Sequence, residues 1–294
     1  MEFFDDPSCE VTVPVLRSIP ELREPVLVAA FEGWNDAGEA ASAAAAHLIE
    51  VWDAQQIGEL DPEDYYDFQV NRPKISLEDG ERQITWPTTR IFVCHATAGP
   101  HDIVIVEGIE PSIRWRHYAD ELVEVARALG VQTVITLGAY LADVPHTRAI
   151  PINTSSDDVA MQDRFGAEAS EYQGPTGIVG VLTEAVRAAG IGALSCWAAV
   201  PHYAGGPPSP KAALALLSRL EELLDVSIPA RAIADEAKAW ERGVDEMAES
   251  DEEVADYVQS LEEATDTAEL PEASGDAIAR EFERYLRGHE DEPS

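Results

Sequence analysis

Val26-Leu27-Val28-Ala29-Ala30-Phe31, followed by Glu32-Gly33-Trp34-Asn35-Asp36-Ala37-Gly38, is the stretch whose reading decides the fold. An unbroken apolar run bounded by Pro25 and Glu32-Gly33 reads as a core strand, because a strand with one wet face would alternate. Behind it the spacing predicts a helix from about Ala37 to Asp53. Asp36 is its expected N-cap, and Glu39 would complete a capping box. The alanines between Ala37 and Ala46 leave this helix almost without bulk, so it can pack closely on a sheet or on another subunit.

The same alternation of strand and helix continues outward. Arg90 to His95, Asp102 to Glu107, Val131 to Leu137, Ala149 to Ile152 and Ile191 to Val200 read as further strands. Lys74 to Leu77 and Arg82 to Thr85 flank Asp79-Gly80 and read as a hairpin. Helices are expected from Ile113 to Leu129, closed by Gly130, and from Asp157. Two more are expected from Thr176 to Ala189, closed by Gly190, and from Ser209-Pro210 to Leu224. Strands alternating with capped helices mean a three-layer α/β domain on a mostly parallel sheet.

Residues 1–228 are therefore assigned to an α/β core domain. Residues 229–288 are assigned to a small, acidic, α-helical C-terminal appendage, and residues 289–294 to a disordered tail. From Val244 to Ser294 there are 18 acidic and 3 basic residues. Three helical stripes punctuate that polarity: Ile233, Ala237, Trp240, Val244 and Met247; Val254, Tyr257, Val258 and Leu261; Ile278, Phe282, Tyr285 and Leu286. Helices this polar need a surface to lie against.

Composition narrows the function classes. The 294 residues are 45% hydrophobic, and 56 acidic side chains face 20 Lys and Arg for a formal net charge of −36. A surface so negative repels phosphate backbones and anionic lipid, which argues against nucleic-acid and membrane partners and suits a partner with a basic face. Cys9, Cys94 and Cys196 form no CxxC or Cys/His pattern, which fits a reducing cytoplasm. Met1 to Asp6 has neither the basic start nor the apolar core of a secretory signal, and no run approaches the ~20 apolar residues of a membrane span.

Open parallel sheets gather ligands outside the carboxyl ends of their strands. The polar residues expected there are Glu32, Trp34, Asn35, Asp36, His95, Glu107, His146, Arg148, His202 and Tyr203, and these form the candidate ligand or partner edge. Each also has a plainer reading. Trp34 suits a buried anchor for the first turn, Asp36 a helix cap, and His146 and His202 structural hydrogen bonding. Glu107 and His95 could meet as an acid/base pair, and Arg148 could hold a phosphate or carboxylate in bidentate fashion. His95, His101 and Asp102 match no helical metal-ligand spacing. There is no GxSxG elbow, no GxxxxGK[ST] loop and no GxGxxG after a strand. Gly174-Pro175-Thr176-Gly177 opens a helix whose amides could receive an anion, though ordinary capping explains it better. No catalytic, cofactor or metal role is assigned.

Five motifs in order resemble one known family. They are Phe31-Glu32-Gly33-Trp34-Asn35-Asp36-Ala37-Gly38; Gly108 with Pro111-Ser112 and Trp115; Pro145-His146-Thr147-Arg148; Gly174-Pro175-Thr176-Gly177; and Val200-Pro201-His202-Tyr203. Together they resemble the proteasome assembly chaperone family, in its second-subunit branch, over roughly residues 25–225. That resemblance implies a nucleoside-phosphorylase-like α/β domain, homo-oligomers (a trimer is expected) and a proteasome-related protein partner. Some relatives insert a C-terminal hydrophobic–tyrosine–any-residue tail into the proteasome α-ring. The closing Glu290-Asp291-Glu292-Pro293-Ser294 lacks it, so tail insertion is not expected. The functional expectation is a non-catalytic, oligomeric assembly factor or adaptor. The alternative is an enzyme or binder of a small anionic or nucleoside-like ligand at the sheet edge.

Overall fold

The computed structural model describes residues 15–269, apart from 79, 96–98, 205 and 207. Its centre is strand β1 (Val26–Glu32), buried along its whole length until Glu32. A 3-10 turn (Ala37–Glu39) leads into helix α1 (Ala40–Val51). There follow β2 (Gln55–Glu59), α2 (Pro62–Tyr65), the hairpin β3 (Lys74–Glu78) and β4 (Glu81–Thr85), β5 (Arg90–Cys94) and β6 (Ile103–Ile109). Then come α3 (Trp115–Ala128), β7 (Thr133–Ala142), β8 (Ile152–Ser155), α4 (Val159–Phe165), α5 (Ile178–Ala188), β9 (Gly192–Pro201) and α6 (Pro210–Leu224). The described chain closes with α7 (Arg231–Glu249) and α8 (Glu252–Glu269).

Seven strands form one sheet in the order β2-β5-β6-β1-β7-β9-β8. The four in the middle are parallel: β1 pairs with β6 and with β7, and β7 pairs with β9. Side-chain alternation along β1 feeds two cores. Val26, Val28 and Ala30 face the layer of α1 and α6, while Leu27, Ala29 and Phe31 face the layer of α3 and α5. The three-layer, mostly parallel α/β architecture is as the sequence implies. In α1 the fully buried Ala40, Ala41, Ala44 and Ala45 bring the helix close to the sheet and to α6, at the cost of side-chain area to bury.

Two strands depart from the expectation. β5 runs antiparallel to β6, with Arg90 opposite Glu107 and Cys94 opposite Ile103, and β8 is an antiparallel edge strand beside β9. For β5 the cause is connection length: the β5–β6 link is too short to hold a helix, and a parallel return needs a dozen residues or more. The capping box does not form. Glu39 lies at φ 52°, in the left-handed region, and makes no side-chain cap. Instead the Asp36 carboxylate accepts from the Ala41 amide at 2.7 Å and from the Ser42 amide and hydroxyl.

At the C-terminal end, α7 buries Ile233, Ala237, Val244 and Ala248, and packs along α6; α8 packs on α7. The expected stripe of Ile278, Phe282, Tyr285 and Leu286, the expected tail 289–294, and Cys9 lie outside the described residues.

Candidate functional site

Because β6, β1, β7 and β9 are parallel, Glu107, Glu32, the segment after Ala142, and His202 share one edge of the sheet. His95 does not. It follows the reversed strand β5, so it stands at the opposite edge, where Nδ1 lies 3.3 Å from Asp102. Burial pushes the Asp102 carboxyl up, but the Arg23 amide and His95 outweigh it and hold its pKa below the ordinary value. Glu107 lies opposite Arg90, five residues from His95 along the strand direction, or ~17 Å at the usual rise of a strand. It pairs with Arg90 at 3.4 Å instead. The envisaged Glu107–His95 pair is excluded by geometry.

The edge divides into two clusters. The first surrounds Asn35, which is 1% exposed. Gly33, at φ 124° in a conformation that suits glycine, turns the chain after β1 so that Asn35 drops inward. The Asn35 carbonyl accepts the Ala139 amide of β7 at 2.7 Å. Its side-chain amide donates to Glu110 Oε1 at 2.9 Å, and the same oxygen accepts the Ile178 amide at 2.8 Å. Glu110 thus occupies the N-terminus of α5, so the amide an anion would need is already engaged. Gly177 is fixed by contact: a Cβ there would lie 2.0 Å from Asn35 Oδ1.

Around this buried node the carboxylates crowd. The pKa of Asp36 is raised, chiefly by burial and against the pull of its bonds to Ser42 and Ala41. Glu32 is also raised, first by lost hydration and then by the charges of Asp36 and Glu107. Trp34 is 66% exposed, not the buried anchor that its place in a turn suggests, and Ile113, Tyr140 and Leu141 are exposed as well. With the turn held from below by Asn35, the indole is left outside.

The second cluster is covered by the C-terminal helices. His146, 1% exposed, receives the Tyr203 hydroxyl at 2.7 Å from Nδ1 and faces Asp245 of α7 at 2.9 Å from Nε2. Its ring meets those of Tyr203 and Trp240 edge-on. Thr147 donates to Glu262 of α8, and Arg148 forks onto Asp266 at 2.8 and 2.9 Å while reaching Glu262 at 3.2 Å. Lys211 of α6 donates to the His146 carbonyl and to Glu241 at 2.7 Å. His202 lies 3.3 Å from Asp143, which also accepts from Tyr257 of α8 at 3.1 Å. A cleft of about 550 Å³ remains between the 146–148 loop and the two helices, rimmed by Glu249, Glu262, Glu263 and Asp266.

In these clusters Trp240 and Tyr257 stood out only as members of helical stripes, and no sequence motif marked Glu110, Lys211, Asp245, Glu262 and Asp266. Their only signal is chemical: a surplus of carboxylates must find the few cations available. Among the described residues, no group of three or more His, Cys, Asp and Glu could hold a metal ion, and no helix is long and apolar enough to cross a membrane.

With this geometry in view, comparison with known proteins is informative. The model of the PAC2 family matches residues 30–248. A PAC2 family protein from Streptomyces avermitilis is 54% identical, over 80% of this chain and 99% of that one, with a TM-score of 0.76. A proteasome-assembly chaperone homologue from Mycobacterium tuberculosis is 49% identical, over 79% of this chain and 99% of that one, with a TM-score of 0.72. An archaeal proteasome activator from Pyrococcus furiosus shares the fold at 18% identity and a TM-score of 0.65, over 79% and 97% of the two chains. Comparison with curated proteins finds no match.

Proposed function

The chain belongs to the PAC2 family, and from that premise we propose that it is a non-catalytic, homo-oligomeric assembly factor or adaptor. It works by binding proteins, with a proteasome subunit as the first partner to test. The Mycobacterium tuberculosis relative described as a proteasome-assembly chaperone homologue supports that choice.

The observation that carries the reading is how the sheet edge is spent. An enzyme of this fold class would leave its acids, bases and anion-binding groups facing a pocket. Here Asn35 and Glu110 brace α5, Asp36 caps α1, and His146, Arg148 and Lys211 are engaged by carboxylates of α7 and α8. Beside these engaged groups the edge exposes Trp34, Tyr140 and Leu141, together with Glu32 and His202. Exposed aromatic side chains on a rigid edge are the anchors that protein interfaces use. A small anionic ligand is disfavoured by the carboxylates lining the adjacent cleft.

The test mixes the purified full chain with purified proteasome α-subunits from its own organism and follows ring formation by native gel and light scattering. Faster ring formation or a co-migrating complex is expected, along with a homo-oligomer of the chain alone. Neither complex nor rate change, together with thermal stabilisation by phosphate, nucleosides or nucleotides, would favour a ligand-binding role instead.

A further inference from the structure

The strand-end loops place Thr147, Arg148, His202 and Tyr203 on one polar and aromatic surface, in a chain whose net charge is −36. That surface already holds an occupant. Along α8, Tyr257 bonds Asp143, Glu262 bonds Thr147 and Arg148, and Asp266 takes the Arg148 fork, so the helix runs parallel to the 143–148 loop. We propose that this surface is a docking site for an acidic amphipathic helix of a partner protein, and that α8 is a displaceable internal copy of that ligand. The inference goes beyond the assembly-factor role and does not depend on which partner the family membership points to.

Two features say that α8 is displaceable and not a fixed part of the core. Its grip is mostly polar: Val258 and Leu261 are the buried apolar residues among those of α8 that are described. An element with so little apolar burial stands at the low end of local stability. The contact is also open to solvent: a surface cleft of about 550 Å³ is lined by His146, Thr147 and Arg148 on one side and by Ala255, Val258 and Gln259 on the other.

The chemistry of the surface sets what can replace α8. Arg148 presents a planar fork suited to a carboxylate, and Thr147 a hydroxyl donor. His202, Tyr203 and Tyr257 meet edge-on, and removing α8 would take Tyr257 away and expose the first two. A competing helix therefore needs carboxylates one turn apart, as Glu262 and Asp266 are, with an aromatic residue further toward its N-terminus.

The experiment uses the full chain carrying Glu262→Gln and Asp266→Asn, which keep size and remove charge. The probe is a stapled, fluorescent peptide of the α8 sequence, residues 252–269. Hydrogen exchange of the α8 amides is expected to speed at least tenfold in the variant while β1 and β7 are unchanged. The peptide is expected to bind the variant at least tenfold more tightly than the parent, and adding Arg148→Gln to the variant should remove at least fivefold of that affinity. Unchanged α8 exchange, or a peptide that binds the variant no better than the parent, would overturn the proposal. Should the double variant fail to fold, Tyr257→Ala releases the other end of the helix and is held to the same two readings.

Discussion

The buried imidazole of His146 stands 2.9 Å from the carboxylate of Asp245, joining a sheet-edge loop to a helix 99 residues further along the chain. Tyr203 takes the other ring nitrogen at 2.7 Å, so the imidazole is held from both sides by elements distant in sequence. This is a structural role for a histidine whose Pro-His-Thr-Arg setting also suits chemistry.

His146→Ala should therefore destabilise the fold substantially. It opens a cavity under Tyr203 and Trp240 and leaves the Tyr203 hydroxyl short of a partner, a loss of about 2–4 kcal/mol. Asp245→Asn should cost far less, about 1 kcal/mol or below, because Asp245 is 47% exposed and an amide still meets the ring. Urea unfolding of both variants, followed by tryptophan fluorescence, checks the ordering.

Gly177→Ala tests the first cluster. The new methyl would stand 2.0 Å from Asn35 Oδ1, and the buried Asn35 has no free space to retreat into. Overpacking of this kind costs about 1–3 kcal/mol. In an Asn35→Ala background the same change should cost at least ~1 kcal/mol less, since residues in contact couple. Equal costs in the two backgrounds, read from a thermal double-mutant cycle, would remove Asn35 as the reason for the glycine.

Glu32→Gln should stabilise the protein at neutral pH. The folded-state pKa of Glu32 is raised above 4.5, first by lost hydration and then by Asp36 and Glu107, so its ionisation works against folding. That penalty is fully present above the raised pKa, shrinks as pH falls through it, and is gone below 4.5, where folded and unfolded states are both protonated. The side chain is largely exposed, so solvent screening limits the gain to ~0.5 kcal/mol. Melting curves of parent and variant should be separated at pH 7 and converge by about pH 4.

The sheet was legible because its middle strands are unbroken apolar runs closed by Gly, Pro or polar turns, as Val26 to Phe31 and Ile191 to Val200 show. The direction of β5 was readable in principle from the short link to β6, but apolar content carries no direction, and an all-parallel edge misplaced His95. β2 escaped notice because its sequence, Gln55-Gln56-Ile57-Gly58-Glu59, has the polarity of an outer strand. In the site, local patterns located Asn35, Asp36, His146 and Arg148. They could not supply Glu110, Asp245, Glu262 or Asp266, because a carboxylate among 56 has no local mark of its partner. Burial shows the same limit for Trp34: a turn sequence says where the indole sits but not which way it faces.

Trp34 separates stability from binding. At 66% exposure its indole contributes little to the core, so Trp34→Ala should change unfolding free energy by no more than ~0.5 kcal/mol. If the strand-end edge is the partner face, the same change removes a large, rigid aromatic anchor, and such residues carry ~2 kcal/mol or more of binding energy. That corresponds to roughly a thirtyfold loss of affinity for the partner at ambient temperature. Asp36→Ala, next in the same loop, should behave oppositely: it frees the Ala41 and Ser42 amides, costs about 1–2 kcal/mol of stability, and weakens the partner only as far as the loop loosens. Surface plasmon resonance on immobilised partner, paired with chemical denaturation of each variant, reads both quantities. A Trp34→Ala protein that binds like the parent would move the partner face away from this edge, to a surface such as the hairpin, where Ile75, Leu77 and Ile84 are also exposed.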